Sequence, residues 1–146
     1  MKRVNVFLDS SALIAGILSE TSAAHVLLQL GETEDIALTI CELVLHETKR
    51  SIARKSHEVL ENVQKEIERS GISILQDPSY EEILANLYLM DDPDDVPILL
   101  AAMKAKVDYL ATHDRKHFLD DPNVAERAGI KIGTPGDVLA WLRENL

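Results

Sequence analysis

Five short apolar runs alternate with longer segments of helical periodicity along the chain, and this alternation restricts the fold more than any other feature. The runs have the length and composition of buried parallel strands. They are predicted as strands at 4–8, 36–40, 72–75, 107–111 and 130–133. Because crossovers between parallel strands are almost always right-handed, the pattern predicts an α/β fold, a three-layer α/β/α sandwich around a central parallel five-stranded sheet.

Some helix boundaries can be predicted from single residues. Ser79, followed three residues later by a glutamate, begins a capping box, and Thr134 is an N-cap with Pro135 at the first helical position. Between residues 42 and 70 there is no glycine or proline. That segment is therefore either one long helix or a hairpin of two.

Length and composition indicate one ordinary globular unit. At 146 residues the chain is long enough for one well-buried core, and no Pro/Gly/Ser-rich linker or internal repeat divides it. A single domain, 1–146, is expected. The one cysteine, Cys41, excludes an intramolecular disulfide and is typical of a reducing compartment. No apolar run approaches the length of a membrane span or resembles a signal peptide, so we expect a cytoplasmic protein without membrane contact.

The charge is unevenly distributed. A formal net charge of −10 argues against broad nonspecific attraction to phosphate backbones, although bound metal would neutralise some of the acids. The basic residues form two clusters, which are Lys49, Arg50, Arg54 and Lys55, and Arg115, Lys116 and His117. Each cluster is explained either as a phosphate-binding surface or as a solvated helix or loop face.

Two aspartates lie just past predicted strands. Asp9 ends the first strand, and Asp114 follows the fourth strand after Thr112 and His113. If the sheet winds outward in both directions from the first strand, these strands are neighbours at the switch point where such sheets bind ligands. Asp9 is equally explained as the N-cap of the next helix. Thr112 would hydrogen-bond a carboxylate or a metal-bound water, or would only cap the turn locally.

Two further acids are predicted to point inward from helices. Glu47 has apolar residues three and four positions before it, which puts its carboxylate on the inward face, where a structural salt bridge is the alternative explanation. Asp95 has apolar residues three and four positions after it, and Pro97, tolerated only in a first turn, fixes the helix start there. Asp92 is a turn residue or a supporting acid beside the site.

Crowded carboxylates would repel one another without a cation between them. Their oxygens are hard ligands that suit Mg²⁺ or Mn²⁺. We therefore predict that one or two such ions are held by the acidic quartet, which is Asp9, Glu47, Asp95 and Asp114. The five histidines show no zinc-ligand spacing, and each, His117 included, is interpreted as a surface or packing residue.

Four fragments taken in order resemble a known family. They are VFLDSSAL at 6–13, LVLHE at 43–47, DVPILLAA at 95–102 and YLATHDR at 109–115. Together with the final helix start they closely resemble PIN domains over nearly the whole chain. The resemblance implies a Mg²⁺- or Mn²⁺-dependent ribonuclease in which the acidic quartet is both catalytic and metal-binding. The chain departs from the usual pattern by having Ser10-Ser11 after the first aspartate and no further acid just after Asp114.

The resemblance also implies a substrate and partners. The substrate would be single-stranded or looped RNA, because a flexible strand can enter a narrow acidic crevice for phosphodiester hydrolysis. Residues expected to contact it are Ser10, Thr112, Lys49, Arg50, Arg115 and Lys116. Many small members are VapC-type toxins of toxin–antitoxin pairs, so an antitoxin partner and a homodimer are implied as well.

Three other functions were weighed. A phosphoacceptor receiver domain would need a pair of acids at the end of the first strand, where only Asp9 stands, and Asp77 before a proline is a poor acceptor site. A haloacid-dehalogenase-type phosphatase would need a second acid in the same place. A catalytically silent PIN-like module that binds RNA or protein is the third, and an intact acidic quartet argues against it.

Overall fold

The computed structural model describes residues 2–146 and contains a five-stranded sheet in which all strands are parallel. The strands are β1 (Asn5–Leu8), β2 (Ala37–Cys41), β3 (Ser73–Leu75), β4 (Tyr109–Ala111) and β5 (Lys131–Gly133). Their order is β3-β2-β1-β4-β5, so β1 is central and β2 and β4 flank it. The predicted fold class and the predicted neighbours of the first strand are both confirmed.

Helices connect successive strands. They are α1 (Ser10–Leu18), α2 (Ala23–Glu32), α3 (Glu42–Ala53), α4 (His57–Arg69), α5 (Tyr80–Ala85), α6 (Val96–Lys104), α7 (Asn123–Ala128) and α8 (Pro135–Asn145). Short 3₁₀ turns lie at Leu87–Leu89 and Pro93–Asp95, and a π-helical turn lies at Arg115–Leu119. Within residues 2–146 no single helix is long and apolar enough to cross a membrane, and α1 with α2 pass that test only as a pair bent by 87°.

The sheet is buried on both faces. Side chains alternate between the two faces of a strand, yet consecutive residues of β1 and β2 are buried, so helices cover both sides. Phe7 pairs in register with Leu110 on β4 and with Thr39 on β2, and all three are buried. The central strands are thereby fixed in position, and so are the residues that follow them.

The segment between residues 42 and 70 folds as two helices that contact each other. The break falls at Ser56, whose hydroxyl accepts a hydrogen bond from the Val59 amide at 3.4 Å and so begins α4. At the start of α3, Asp77 caps from a distant loop: its carboxylate accepts from the Leu43 amide at 2.9 Å, and Glu42 accepts from the Asp77 amide at 3.2 Å. The residue weighed as a phosphoacceptor is a helix cap.

The predicted helix starts are confirmed. The Ser79 hydroxyl accepts from the Glu82 amide at 3.1 Å while the Glu82 carboxylate accepts from the Ser79 amide at 3.0 Å. Thr134 and Asp137 form the same reciprocal pair at the start of α8. These caps satisfy amides that have no partner inside the helix.

Candidate metal centre

Two members of the acidic quartet follow adjacent central strands. Leu8 pairs with Ala111 in the β1–β4 register, and the Asp9 amide donates to the Ala111 carbonyl at 3.0 Å. Asp9 therefore lies beside the chain that continues through Thr112 to Asp114. The sheet itself sets the distance between these two acids.

Asp9 is almost fully buried and is surrounded by donors. The residue is only 5% exposed. One oxygen accepts from the Ser10 amide at 2.6 Å, and the other accepts from the hydroxyls of Thr112 at 2.7 Å and Ser11 at 3.2 Å. Burial raises the pKa of Asp9 and the nearby Asp114 charge raises it further, while these donors lower it. Asp9 is thus the N-cap of α1 and a site residue at once.

Thr112 connects the two strands. It is completely buried, and its hydroxyl donates to Asp9 while accepting from the Asp114 amide at 3.0 Å. The Ser11 hydroxyl lies 3.3 Å from it and accepts from the His113 amide at 2.9 Å. The buried Thr112 hydroxyl therefore positions the two aspartates, and its contact with RNA stays a prediction.

Glu47 approaches Asp9 from α3. The Ser10 hydroxyl donates to a Glu47 carboxylate oxygen at 3.0 Å and lies 3.4 Å from an Asp9 oxygen. Burial raises the pKa of Glu47; the Ser10 donor lowers it, Asp9 raises it and the Arg50 charge lowers it. In residues 2–146 Glu47 forms no ion pair, so the structural salt bridge weighed as its alternative role is not observed.

Asp95 ends the 3₁₀ turn before α6 and faces His117. Its Oδ2 lies 3.1 Å from His117 Nδ1, but the hydrogen on that nitrogen points to Asp114 Oδ2 at 2.9 Å. Asp95 Oδ2 is therefore buried without a hydrogen-bond donor. Burial raises the pKa of Asp95 to about 6; His117 lowers it, and the charges of the neighbouring acids raise it.

His117 is held in the middle of this group by the π-helical turn. Its amide donates to Asp114 Oδ1 at 3.1 Å, and its Nε2 lies 3.4 Å from Asp92 Oδ2. The hydrogen bond with Asp114 raises the pKa of the ring, and the charges of Asp95, Asp114 and Asp92 add to this. One ring therefore faces three carboxylates, an arrangement that the sequence did not predict for His117.

Comparison with known proteins agrees with the fold. The sequence profile of the family described as PIN domain matches residues 5–116. The chain belongs to the PIN-domain family. The resemblance seen in the four sequence fragments is confirmed, and since PIN domains are generally nucleases, nuclease is the class of activity that the family supports.

Solved structures share the PIN fold with this chain. PAE2754 from Pyrobaculum aerophilum is 22% identical with a TM-score of 0.53, and the match covers 77% of this chain and 82% of that one. VapBC2 from Rickettsia felis, bound to a DNA fragment from their promoter, is 18% identical with a TM-score of 0.61, covering 90% of this chain and 98% of that one. No curated protein matches the sequence.

The acids of this PIN domain fit a divalent cation. The buried Asp95 oxygen without a donor is an uncompensated polar atom of the kind that a metal ion satisfies. Asp92, Asp95 and His117 each offer a ligand atom, and these atoms lie within 4.8 Å of one another. The other ligand atoms available, on Asp9 and Glu47, are carboxylate oxygens, which a hard cation prefers.

The predicted basic residues of the PIN domain are wholly or partly exposed to solvent. Arg50, Arg115 and Lys116 are exposed, and Lys49 is half-buried. In the part of the chain that the structure describes, none of them forms an ion pair. Arg50 is close enough to Glu47 to lower its pKa.

Proposed function

We propose that this PIN domain, acting as one domain over residues 1–146, is a metal-dependent endoribonuclease. The observation that carries the proposal is the convergence of the acidic quartet at the centre of the sheet, where Asp95 keeps a buried oxygen without a donor. Such a group of acids is costly to bury on its own. The cost is offset if the acids hold a cation.

The quartet would hold one or two Mg²⁺ or Mn²⁺ ions, directly or through water. When bound, such an ion supplies a water of lowered pKa as nucleophile and a positive charge that stabilises the phosphate in the transition state. The residues of the chain fix the geometry: Thr112 and Ser11 orient Asp9, and Ser10 joins Asp9 to Glu47. Preorganised acids need no rearrangement when substrate arrives.

The substrate we propose is single-stranded or looped RNA. The chain carries a net charge of −10, so phosphate must be attracted locally. Four basic residues that follow Glu47 and Asp114 in the sequence would supply that attraction and contact phosphates on either side of the scissile bond: Lys49, Arg50, Arg115 and Lys116. Ser10 is half-buried at the same place and would lie beside the reacting phosphate.

We further propose that the protein is the toxin of a toxin–antitoxin pair, active in the cytoplasm. The likeness in fold to VapBC2 supports this and extends over nearly all of both chains. An antitoxin protein would then be its partner, and a homodimer its assembly.

The test is cleavage of end-labelled RNA, one oligonucleotide unstructured and one a hairpin, with Mn²⁺, Mg²⁺ or EDTA. We expect cleavage only with metal, and loss of cleavage in Asp9→Asn. Asp91→Asn is the matched control, because Asp91 is an exposed aspartate in the neighbouring loop with no hydrogen bond or ion pair in the described structure. Folded, metal-binding protein that cleaves neither RNA would overturn the proposal and favour a silent binding module.

A further inference from the structure

We infer that His117 supplies a nitrogen ligand to the metal centre, beside Asp92 and Asp95, and gives the centre a preference for Mn²⁺ over Mg²⁺. The inference rests on the metal dependence proposed above. It adds to the acidic quartet a nitrogen donor and a fifth carboxylate. It concerns which ion is bound, and so it can be tested without RNA.

The hydrogen bonds of His117 leave one ring nitrogen available. Nδ1 donates to Asp114 Oδ2 at 2.9 Å, and the amide of the same residue donates to Asp114 Oδ1 at 3.1 Å. A carboxylate that takes the Nδ1 hydrogen fixes the tautomer and leaves the lone pair on Nε2. Metal-binding histidines are commonly oriented by a carboxylate in this way. Asp114 here orients the ring.

The available nitrogen lies beside Asp92, and the other ring nitrogen, Nδ1, lies 3.1 Å from Asp95 Oδ2. Nε2 lies 3.4 Å from Asp92 Oδ2, which is longer than an ordinary N–H···O hydrogen bond. Asp95 Oδ2 is buried without any donor. The imidazole therefore forms a good hydrogen bond with only one of its three acidic neighbours, Asp114. One carboxylate oxygen of Asp92, one of Asp95 and a nitrogen of the His117 ring lie within 4.8 Å of one another, a span that one ion can bridge.

Nitrogen in the ligand set changes which ion binds best. Mg²⁺ prefers oxygen ligands and gives up its waters reluctantly. Imidazole suits transition metals, and Mn²⁺ accepts both nitrogen and carboxylate ligands. With an acid in the place of His117 the set would be all oxygen. With His117 it discriminates against Mg²⁺.

The experiment measures Mn²⁺ and Mg²⁺ binding by calorimetry and, for bound Mn²⁺, ¹⁴N coupling by electron spin-echo modulation. His117→Ala removes the ligand, and His117→Asp replaces nitrogen by oxygen. His113→Ala is the matched control, since the His113 side chain is exposed and lies in the same loop. Circular dichroism confirms that each variant is folded.

We expect wild type and His113→Ala to bind Mn²⁺ more tightly than Mg²⁺ and to show imidazole ¹⁴N coupling. His117→Ala should lose the coupling and on the order of tenfold or more in Mn²⁺ affinity. His117→Asp should lose the coupling and the Mn²⁺ preference while keeping Mg²⁺ binding.

Other results overturn the inference. One is a His117→Ala variant with an unchanged ratio of Mn²⁺ to Mg²⁺ affinity or with persistent ¹⁴N coupling. Another is tighter metal binding in that variant, which would mean that the ring occupies the place of the cation. The last is the absence of metal binding in wild type. RNA cleavage is scored separately. A nuclease that binds metal without a nitrogen ligand would contradict only this inference. Nitrogen-bound Mn²⁺ without any RNA cleavage would contradict only the proposed activity.

Discussion

Asp9 and Asp95 are both largely buried acids of the same cluster, yet their surroundings differ. Asp9 accepts from a backbone amide and two hydroxyls, all neutral groups fixed by β1, β4 and the start of α1. Asp95 has the His117 ring as its neighbour, and Nδ1 of that ring lies closer to Asp114 Oδ2, at 2.9 Å, than to Asp95 Oδ2, at 3.1 Å. Fixed donors offset part of the cost of burying Asp9, whose pKa is still raised, while Asp95 keeps a buried oxygen without a donor. We call Asp9 with its fixed donors the preformed side, and Asp92, Asp95 and His117 the metal-dependent side, because we propose that a cation completes the latter.

The largest expected effect is on the rate of RNA cleavage, measured in one variant from each side. Asp9→Ala should lower RNA cleavage by more than about a hundredfold, because it removes the ligand on which the preformed side is built. Asp92→Ala should lower it by about tenfold, since Asp92 acts at the other side and is half-exposed. Initial rates at saturating Mn²⁺ measure both. Equal losses would mean that the two sides do not differ as described.

The next effect concerns the stability of the preformed side. Thr112→Val removes the hydroxyl that donates to Asp9 and accepts from the Asp114 amide, so we expect a loss of about 2 kcal/mol in the free energy of unfolding. Thr112→Ser keeps the hydroxyl and should recover most of it. Urea unfolding measures the difference, and a valine variant as stable as wild type would show that Asp9 does not need this donor.

The metal-dependent side should respond in the opposite direction. Asp95→Asn should stabilise the metal-free protein at pH 7.5 by about 1–2 kcal/mol, because it removes a buried charge. The value is below that of the full pKa shift because the side chain is 18% exposed. With saturating Mn²⁺ the order should reverse, since the variant loses a ligand.

The sign of the pH dependence follows from the raised pKa values. Burial raises the pKa of Asp95 from 3.8 to about 6, so the folded protein binds a proton that the unfolded chain releases. The hydrogen bond with Asp114 also raises the pKa of His117, with the same effect. Metal-free wild type should therefore gain stability as pH falls from 7.5 through 6, and Asp95→Asn should gain less. Urea unfolding in EDTA at pH 7.5 and 5.5 tests this, and a wild type that loses stability over that range would contradict it.

The smallest expected effect is on RNA binding by the exposed arginines Arg50 and Arg115. Arg50→Ala and Arg115→Ala should each weaken RNA binding a few-fold and make its dependence on salt shallower by about one phosphate contact. Arg69→Ala is the control, because Arg69 is paired with Glu66. Binding to the inactive Asp9→Asn protein at several salt concentrations gives the slope. An unchanged slope would assign these arginines to a merely solvated face.

The sequence predicted the preformed side better than the metal-dependent one. Short apolar runs identified the five strands, and strand neighbours brought Asp9 and Asp114 together as expected. Glu47 and Asp95 were also predicted to approach, because residues three and four apart share a helical face. These predictions rest on regular periods of strands and helices. The role of the four acids in binding metal and in catalysis remains a prediction.

What the sequence could not show depends on irregular backbone. His117 was interpreted as a surface residue because its turn follows neither period. The break between α3 and α4 has no glycine or proline, and only Ser56, an N-cap residue, could have indicated it. Asp77 caps α3 from a loop far along the chain, a contact that only the folded sheet creates.

The π-helical turn at Arg115–Leu119 has a consequence for how such a centre can change. Its defining bonds run from the Leu119 amide to the Asp114 carbonyl at 3.2 Å and from the Asp120 amide to the Arg115 carbonyl at 2.7 Å, five residues back rather than four. Deleting one residue would tighten this turn to an α-helical one and rotate the ring at its centre away from the acids. A one-residue deletion here would therefore remove the ring from the acids, although the turn lies outside the strands of the sheet. If His117 is a ligand as we infer, the length of this turn matters to the metal centre as much as the identity of its residues does.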